Sequence, residues 1–337
     1  MIIVFIGLGR IAQRYIRIVK KKYPDCKIYV IRYSNSNKVI HDNLDYEIVN
    51  NIYNYYDIKK IELKDLKKIN PGYIFVTNAP SGRYKLIMNL LSVNAHIMCE
   101  KPIFDNFSYA KSKIISSKIK KNKKIFYCGF QLRQHPIFLK LKKIIENNQY
   151  GKLLFIKMEI CEGVNKFNKY TTIKKSHYTS DKLGGGVLLA QCHEIDLIHY
   201  LVGDPKVIKS FMPKNNIIDG IKVDVLMHAD LEVTRKSIKT QISLTMDMLD
   251  NSPRRSGTFY FENYIFSYNL INNTYSITKN KNLTTKYFDL KSFNRMDLFI
   301  NQVNSFFKLA NGKKINYCNF DNGIKSLQTI DYIRKLH

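Results

Sequence analysis

Two side chains far apart in this 337-residue chain are able to move protons. One is Lys101, held between Glu100 and Pro102. The other is His193, three residues before Asp196 in the stretch GGGVLLAQCHEID at 184–196. The apolar run after the glycines reads as one buried helix continuing through Leu201. His193 and Asp196 lie on one side of that helix, and an imidazole beside a carboxylate is what a proton relay needs. The same pair on a half-buried helix also serves as a plain structural hydrogen bond. The three glycines ahead of it remove every side chain where a backbone or a ligand must come close. Pro102 limits the lysine before it to extended geometry and so fixes its direction. A lysine so placed is either a salt-bridged surface group or an acid/base desolvated toward neutrality.

Such groups need rigid elements to carry them. Residues 2–6 are continuously apolar, as in a parallel strand covered on both faces, and GLGRIA at 7–12 follows at once, opening a helical pattern. This is the strand–turn–helix setting that a GxGxx[GA] dinucleotide motif requires. Gly7 allows the tight turn, Gly9 lets a pyrophosphate approach, and Ala12 lets the helix pack; Gly7, Gly9, Arg10 and Ile11 are the candidate phosphate holders. A glycine turn without a ligand is the alternative. The second strand ends at Arg32, followed by Ser34, where an NAD site usually has an acidic residue for the ribose 2′-hydroxyl. Arginine and serine suit a 2′-phosphate, so NADP is preferred over NAD, unless Arg32 points to solvent.

Further strands are expected at 73–77, ending in Asn78, Ala79 and Pro80, and at 96–99, running into Lys101 at the strand end where ligands bind in open α/β sheets. Residues 42–66 are polar, tyrosine-rich and poorly periodic. A new segment begins after Pro136, strands alternate over 205–290, and two amphipathic helices, about 296–309 and 322–336, follow. The fold class expected is α/β: a doubly wound parallel sheet over 1–122, then an α+β part over 123–337 on an open, largely antiparallel sheet.

With these stretches in place the chain resembles the Gfo/Idh/MocA oxidoreductases, relatives of glucose–fructose oxidoreductase and inositol 2-dehydrogenase. The resemblance rests on GLGRIA at 7–12, TNAP at 77–80, CEKP at 99–102, GFQLRQHP at 129–136 and GGGVLLAQCHEID at 184–196. It implies a Rossmann domain, a C-terminal domain whose open sheet often mediates dimers or tetramers, and NAD(P)-dependent redox chemistry on a sugar, cyclitol or sugar nucleotide. Carried over by position, Lys101 is the catalytic lysine and Glu100 helps place the nicotinamide. His193 binds substrate or relays the proton, and Asp196 binds or orients the substrate. Thr77, Asn78 and Pro80 run along the ribose and nicotinamide, and Arg133 is structural or reaches the substrate. Residues 163–180 resemble a loop of a subgroup associated with bacterial surface-sugar synthesis, polysaccharide biosynthesis among its settings. Tyr170 is kept there as a substrate residue, while Phe167, Lys174 and His177 depart from that loop. Ala190 replaces a common acidic residue, and Arg83 and Tyr84 stand where a histidine is often found. These departures are expected around the substrate pocket.

Composition closes off other classes. Apolar residues make up 45% of the chain and charged ones 24%, which is ordinary for a globular protein. No apolar run approaches the ~18 residues that cross a bilayer, and the N-terminus lacks the basic segment of a signal peptide. The six cysteines have no zinc or CxxC spacing, so reduced thiols, a cytoplasmic location and no metal are expected. The net charge of +28 comes mostly from lysines spread along the whole chain, with no accompanying nucleic-acid motif. The expected partners are a small carbohydrate and a second copy of the chain, with no nucleic acid and no membrane. The rival functions are a non-catalytic NAD(P)-binding sensor, a basic nucleic-acid binder and, among enzymes, reduction of a C=N or C=C bond.

Overall fold

In the computed structural model the described residues are 1–164, 172–173, 176–213, 220–235 and 237–337. They form two compact units. The first is built on Met1–Phe130 with a returning segment, Phe299–Ile324. Its strands are β1 (Ile2–Ile6), β2 (Lys27–Ile31), β3 (Lys38–Ile40), β4 (Tyr46–Ile48), β5 (Lys59–Lys60), β6 (Tyr73–Val76), β7 (His96–Glu100) and β8 (Phe126–Gly129). The helices between them are α1 (Arg10–Lys22), α2 (Ile52–Tyr56), α3 (Leu66–Ile69), α4 (Arg83–Leu90) and α5 (Tyr109–Asn122).

Six strands pair in parallel in the order β5-β2-β1-β6-β7-β8. The apolar runs of central β1 and β6 are buried as a doubly covered sheet demands, while the edge strand β5 is two exposed lysines. Strands β3 and β4 form a separate hairpin inside the weakly periodic stretch. The short α2 is held there by Asn51, whose side chain accepts from the amides of Tyr53 and Asn54. The core of this unit is aromatic. Phe5 stacks on Phe75 at 4.6 Å, and Phe75 meets Phe306 of the returning segment edge-on at 5.4 Å. Each such pair adds about 0.5–1.5 kcal/mol beyond its buried area.

The second unit takes in residues from Gln131 onward, apart from the returning segment. It holds α6 (Pro136–Glu146), α7 (Val187–Ala190), α8 (His193–Leu201) and eight strands: β9 (Leu153–Cys161), β10 (Lys206–Phe211), β11 (Leu226–Arg235), β12 (Ile238–Asp247), β13 (Arg254–Phe261), β14 (Tyr264–Asn269), β15 (Thr274–Lys279) and β16 (Thr284–Asp289). Their order is β10-β11-β12-β9-β13-β14-β15-β16, antiparallel except where β12 runs parallel to β9. Burial alternates along β11 and β12, with Met227, Ala229, Leu231, Ile242, Leu244 and Met246 inside, as period-two patterning requires of a sheet with one covered face. The last helices are α9 (Arg295–Ala310) and α10 (Phe320–Lys335).

One local expectation fails. The run after the three glycines is two helices, α7 and α8, separated at Gln191 and Cys192, rather than one. His193 therefore opens α8 instead of lying in mid-helix. Among the described residues no helix is long and apolar enough to cross a membrane. All six cysteines are buried and none is in a disulfide.

Candidate active site

The glycine turn joins β1 to α1. Gly7 has φ +94°, and a Cβ there would lie 2.9 Å from the backbone nitrogen of Asn78, so only glycine fits. Gly9 differs: its backbone is extended, and a Cβ would meet no atom within 4 Å. Gly9 caps α1 without a side-chain hydrogen bond, and the positive end of the helix that starts there favours an anion. Thr77 sits at the end of β6, its hydroxyl donating to the Ile6 carbonyl at 2.9 Å. Next to it, the Asn78 side-chain oxygen is buried without a hydrogen-bond partner. An open approach at Gly9, the positive start of α1 and an orphaned acceptor at Asn78 together fit the phosphates and ribose of a dinucleotide.

Arg32 is buried; its Nη2 donates to the Ser36 carbonyl at 2.7 Å and lies 3.5 Å from the Ser34 hydroxyl. Its Nε is buried with no hydrogen-bond partner, so the guanidinium does not point to solvent and keeps a donor unspent. Burial draws its pKa down.

Lys101 follows directly on the last residue of β7. Glu100 is buried: the Tyr15 hydroxyl donates to its Oε1, and Gln302 Nε2 donates in turn to the Tyr15 oxygen at 2.5 Å. Burial pushes the Glu100 carboxyl above its ordinary range, and the Tyr15 hydrogen bond works against that rise. A Cβ on Gly129 would run into this carboxylate at 2.8 Å, which explains the glycine that ends β8. Arg83 is buried among backbone carbonyls.

In the second unit the three-glycine turn is filled by the protein itself. A Cβ on Gly185 would lie 2.6 Å from the carbonyl oxygens of both His177 and Tyr178, and one on Gly186, where φ is +105°, would strike the Asp224 carboxylate. That carboxylate accepts the Leu188 amide at 2.9 Å and so holds the start of α7. Asp196 faces Arg133, which donates from Nε and Nη2 at 2.8 and 2.7 Å, a fork-to-carboxylate pair. One residue past His193, Glu194 accepts from Arg255 of β13 at 2.7 Å. Burial raises the carboxyls of Asp196 and Glu194, and each arginine works against that rise. The opening turn of α8, which carries His193, is thus clamped by two buried ion pairs. His135 caps α6: its Nδ1 accepts the Ile137 amide at 3.3 Å, and burial holds the ring down at about 4.

Arg133 and Asp196 are brought together, as are Gly7, Thr77 and Asn78, and Glu100 adjoins Lys101. Arg10 and Ile11 open α1, and Pro80 precedes α4. Lys101 belongs to the first unit and His193 to the second. Tyr170, Phe167 and Lys174 lie outside the described residues. Tyr15, Gln302 and Arg255 fall in none of the sequence motifs, and Glu194, though inside the 184–196 stretch, was given no role there. The one available signal was Glu194 itself, a carboxylate between apolar neighbours that needs a partner if buried. Cys161, Asp247 and Asp250 offer ligand atoms within 4.8 Å of one another. Asp250 is engaged by Arg254 at 2.6 Å, and Asp247 accepts turn amides.

A parallel sheet with a glycine turn open at its first helix, joined to a sheet with one covered face, defines a dinucleotide-binding α/β protein with a second α+β unit. The chain belongs to the Gfo/Idh/MocA oxidoreductase family: residues 1–130 match its NAD-binding Rossmann-fold model and residues 138–258 its C-terminal domain model. It is 25% identical over 146 residues to an inositol 2-dehydrogenase/D-chiro-inositol 3-dehydrogenase of Lactiplantibacillus plantarum, covering 43% of this chain and 38% of that protein. To the uncharacterized oxidoreductase YrbE of Bacillus subtilis it is 22% identical over 199 residues, 59% of this chain and 52% of the relative. The matches thus span from over a third to about half the length of these relatives. Among solved structures, the fold is similar to the WlbA dehydrogenase of Chromobacterium violaceum in complex with NADH and UDP-GlcNAcA. The TM-score is 0.75 at 14% identity, covering 100% of this chain and 93% of the other. It is similar also to biliverdin reductase of Synechocystis with NADP+ (TM-score 0.76, 12% identity, 99% and 98% covered).

Proposed function

We propose that the chain is an NAD(P)-dependent dehydrogenase or reductase. It would transfer hydride to or from a hydroxyl or keto carbon of a sugar, cyclitol or sugar nucleotide, with NADP the preferred cofactor. The observation that carries this reading is the position of Lys101. It directly follows β7 at the C-terminal edge of a parallel sheet, where the neighbouring strand ends supply the Gly7 turn and the orphaned Asn78 oxygen. Ligands of open α/β sheets bind at that edge.

The nicotinamide, when bound, supplies the hydride chemistry. This chain's residues bind it and manage the proton. The α1 amides and Gly9 take the pyrophosphate, Thr77, Asn78 and Pro80 flank ribose and nicotinamide, and Arg32 with Ser34 takes a 2′-phosphate. Removing hydride from an alcohol leaves positive character on carbon unless the hydroxyl proton also departs, so a base is required. Lys101 Nζ takes that proton in oxidation and returns it in reduction, with His193 sharing or relaying it. Asp196 and Arg133 hold the turn that carries His193, and a substrate hydroxyl is read against them. Phe155 and Tyr260, neighbours at 5.8 Å on the exposed face of the second sheet, support a homo-oligomer through that face.

The test is turnover of NADPH or NADH with a panel of keto-sugars, cyclitols and sugar nucleotides, run beside cofactor binding followed by nicotinamide fluorescence. Lys101→Met should keep cofactor binding and lower kcat by about 10²–10⁴-fold, the range of a general acid or base. A fall of less than about tenfold removes Lys101 from that role. Cofactor binding without turnover of any compound would point to a non-catalytic cofactor-binding protein instead.

A further inference from the structure

Arg83 is the first residue of α4 and is 2% exposed. Its Nη1 donates to the carbonyl of Glu100 and to that of Pro102 at 2.6 Å, and its Nη2 donates to the carbonyl of Asn78. The first two carbonyls bracket Lys101 in the chain. The third belongs to the residue whose amide nitrogen lies against Gly7. A single planar fork therefore ties together the backbone on both sides of the lysine and the strand end beside the cofactor turn. Only a guanidinium has donors arranged to span such a set, since an ammonium is a point charge on a flexible stem. A charge buried this deeply against carbonyl dipoles, with Nε left unpartnered, serves more than packing.

We propose that Arg83 is a positioning residue for the reaction, fixing the backbone that aims Lys101 and holding it in register with Asn78. This rests on the reading of Lys101 as the proton-transferring group. A small misplacement of such a group costs on the order of 10²-fold in rate, so the fork's loss should appear in kcat and hardly in cofactor affinity.

Arg83→Gly and Arg83→Lys are compared with the parent chain for thermal melting, NADPH binding by fluorescence, and turnover with the best compound of the panel. Arg83→Gly is expected to lose about 100-fold in kcat while binding NADPH nearly as well as the parent chain. Added guanidinium should restore part of that loss where methylammonium at equal concentration does not, a recovery that a mere packing role would not give. Arg83→Lys, which keeps the charge and loses the fork, should also fall well below the parent. Independently of any substrate, the rate at which an amine-reactive reagent labels Lys101, relative to Lys111 in the same digest, should change in both variants and return with guanidinium in Arg83→Gly. Parent-like kcat in Arg83→Lys overturns the proposal, as does an unchanged Lys101 labelling ratio in both variants. If Arg83→Gly does not fold, Arg83→Lys decides by the same two readouts. If Lys101→Met retains turnover, the reading of Lys101 fails, while the labelling ratio still judges whether Arg83 aims that side chain.

Discussion

A methyl group placed on Gly9 would meet no atom within 4 Å, whereas one placed on Gly185 would lie 2.6 Å from two backbone carbonyl oxygens. Both glycines stand in turns that lead into a helix, beside residues able to do chemistry. In the first unit the missing side chain leaves space, beside the positive start of α1 and an orphaned acceptor at Asn78. In the second, the space is already taken by the carbonyls of His177 and Tyr178, and the nearby carboxylates are engaged by arginines. The comparison teaches that a glycine-rich turn marks a close approach without saying whether ligand or protein makes it. One turn is built to receive a guest, and the other is packed by the protein itself where α7 begins.

The comparison breaks most severely at Asp196. If its carboxylate mainly secures α8, Asp196→Ala strands the Arg133 guanidinium in the interior and should cost about 3–5 kcal/mol, read as a lower urea midpoint with an unchanged slope. Replacing both partners by apolar residues of similar volume should recover most of that loss. An Asp196→Ala chain as stable as the parent would return the carboxylate to the substrate.

Next in size is a pH effect in the same unit. Burial holds the His135 ring down at about 4, against an ordinary value of 6.5. The unfolded chain then takes up this proton first as acid is added. The contribution of His135 is complete above about pH 6.5 and is lost as pH falls toward about 4, to a total of roughly 3 kcal/mol. A His135→Asn chain should show a flatter stability curve across that window; an equal slope would assign the acid sensitivity to other groups.

Gly185→Ala and Gly9→Ala test the contrast itself. The first forces a methyl group onto backbone and should cost about 1–3 kcal/mol as overpacking does. The second should leave melting unchanged or slightly raised, because the extended backbone at Gly9 accepts alanine. It should nevertheless weaken cofactor binding by more than about tenfold, or 1.4 kcal/mol. Loss of stability in Gly9→Ala with cofactor affinity intact would invert the roles assigned to the two turns.

What could be read from the sequence follows the range of the forces involved. The strand–turn–helix at 1–22 and the strand ending at Lys101 are local, and apolar runs and glycines disclose them. The break between α7 and α8 falls at Gln191 and Cys192, neither of which is a helix breaker, so no local residue announced it. The choice of Arg133 as partner for Asp196, and of Phe306 for Phe75, is made by tertiary packing across long stretches of chain. The partners of Arg83 are likewise out of reach of the sequence, since only the fold brings three backbone carbonyls to one guanidinium.

The smallest effect expected concerns cofactor choice and sharpens the first half of the comparison. Arg32 spends one donor on the Ser36 carbonyl and keeps Nε buried and unpartnered. A guanidinium retained only to hold the turn at Ser36 would be indifferent to the 2′-phosphate. One retained for the phosphate contributes a charge-assisted hydrogen bond of about 1.5–3 kcal/mol, partly offset by the cost of its own burial. Arg32→Ala should therefore lower the ratio of NADPH to NADH affinity by about tenfold, or 1.4 kcal/mol, through weaker NADPH binding with NADH nearly unchanged. Raising the salt concentration should shrink that gap in the parent chain and leave Arg32→Ala almost unaffected, because the contribution removed is electrostatic. An equal loss of both cofactors would mean that Arg32 supports the turn and reads no phosphate.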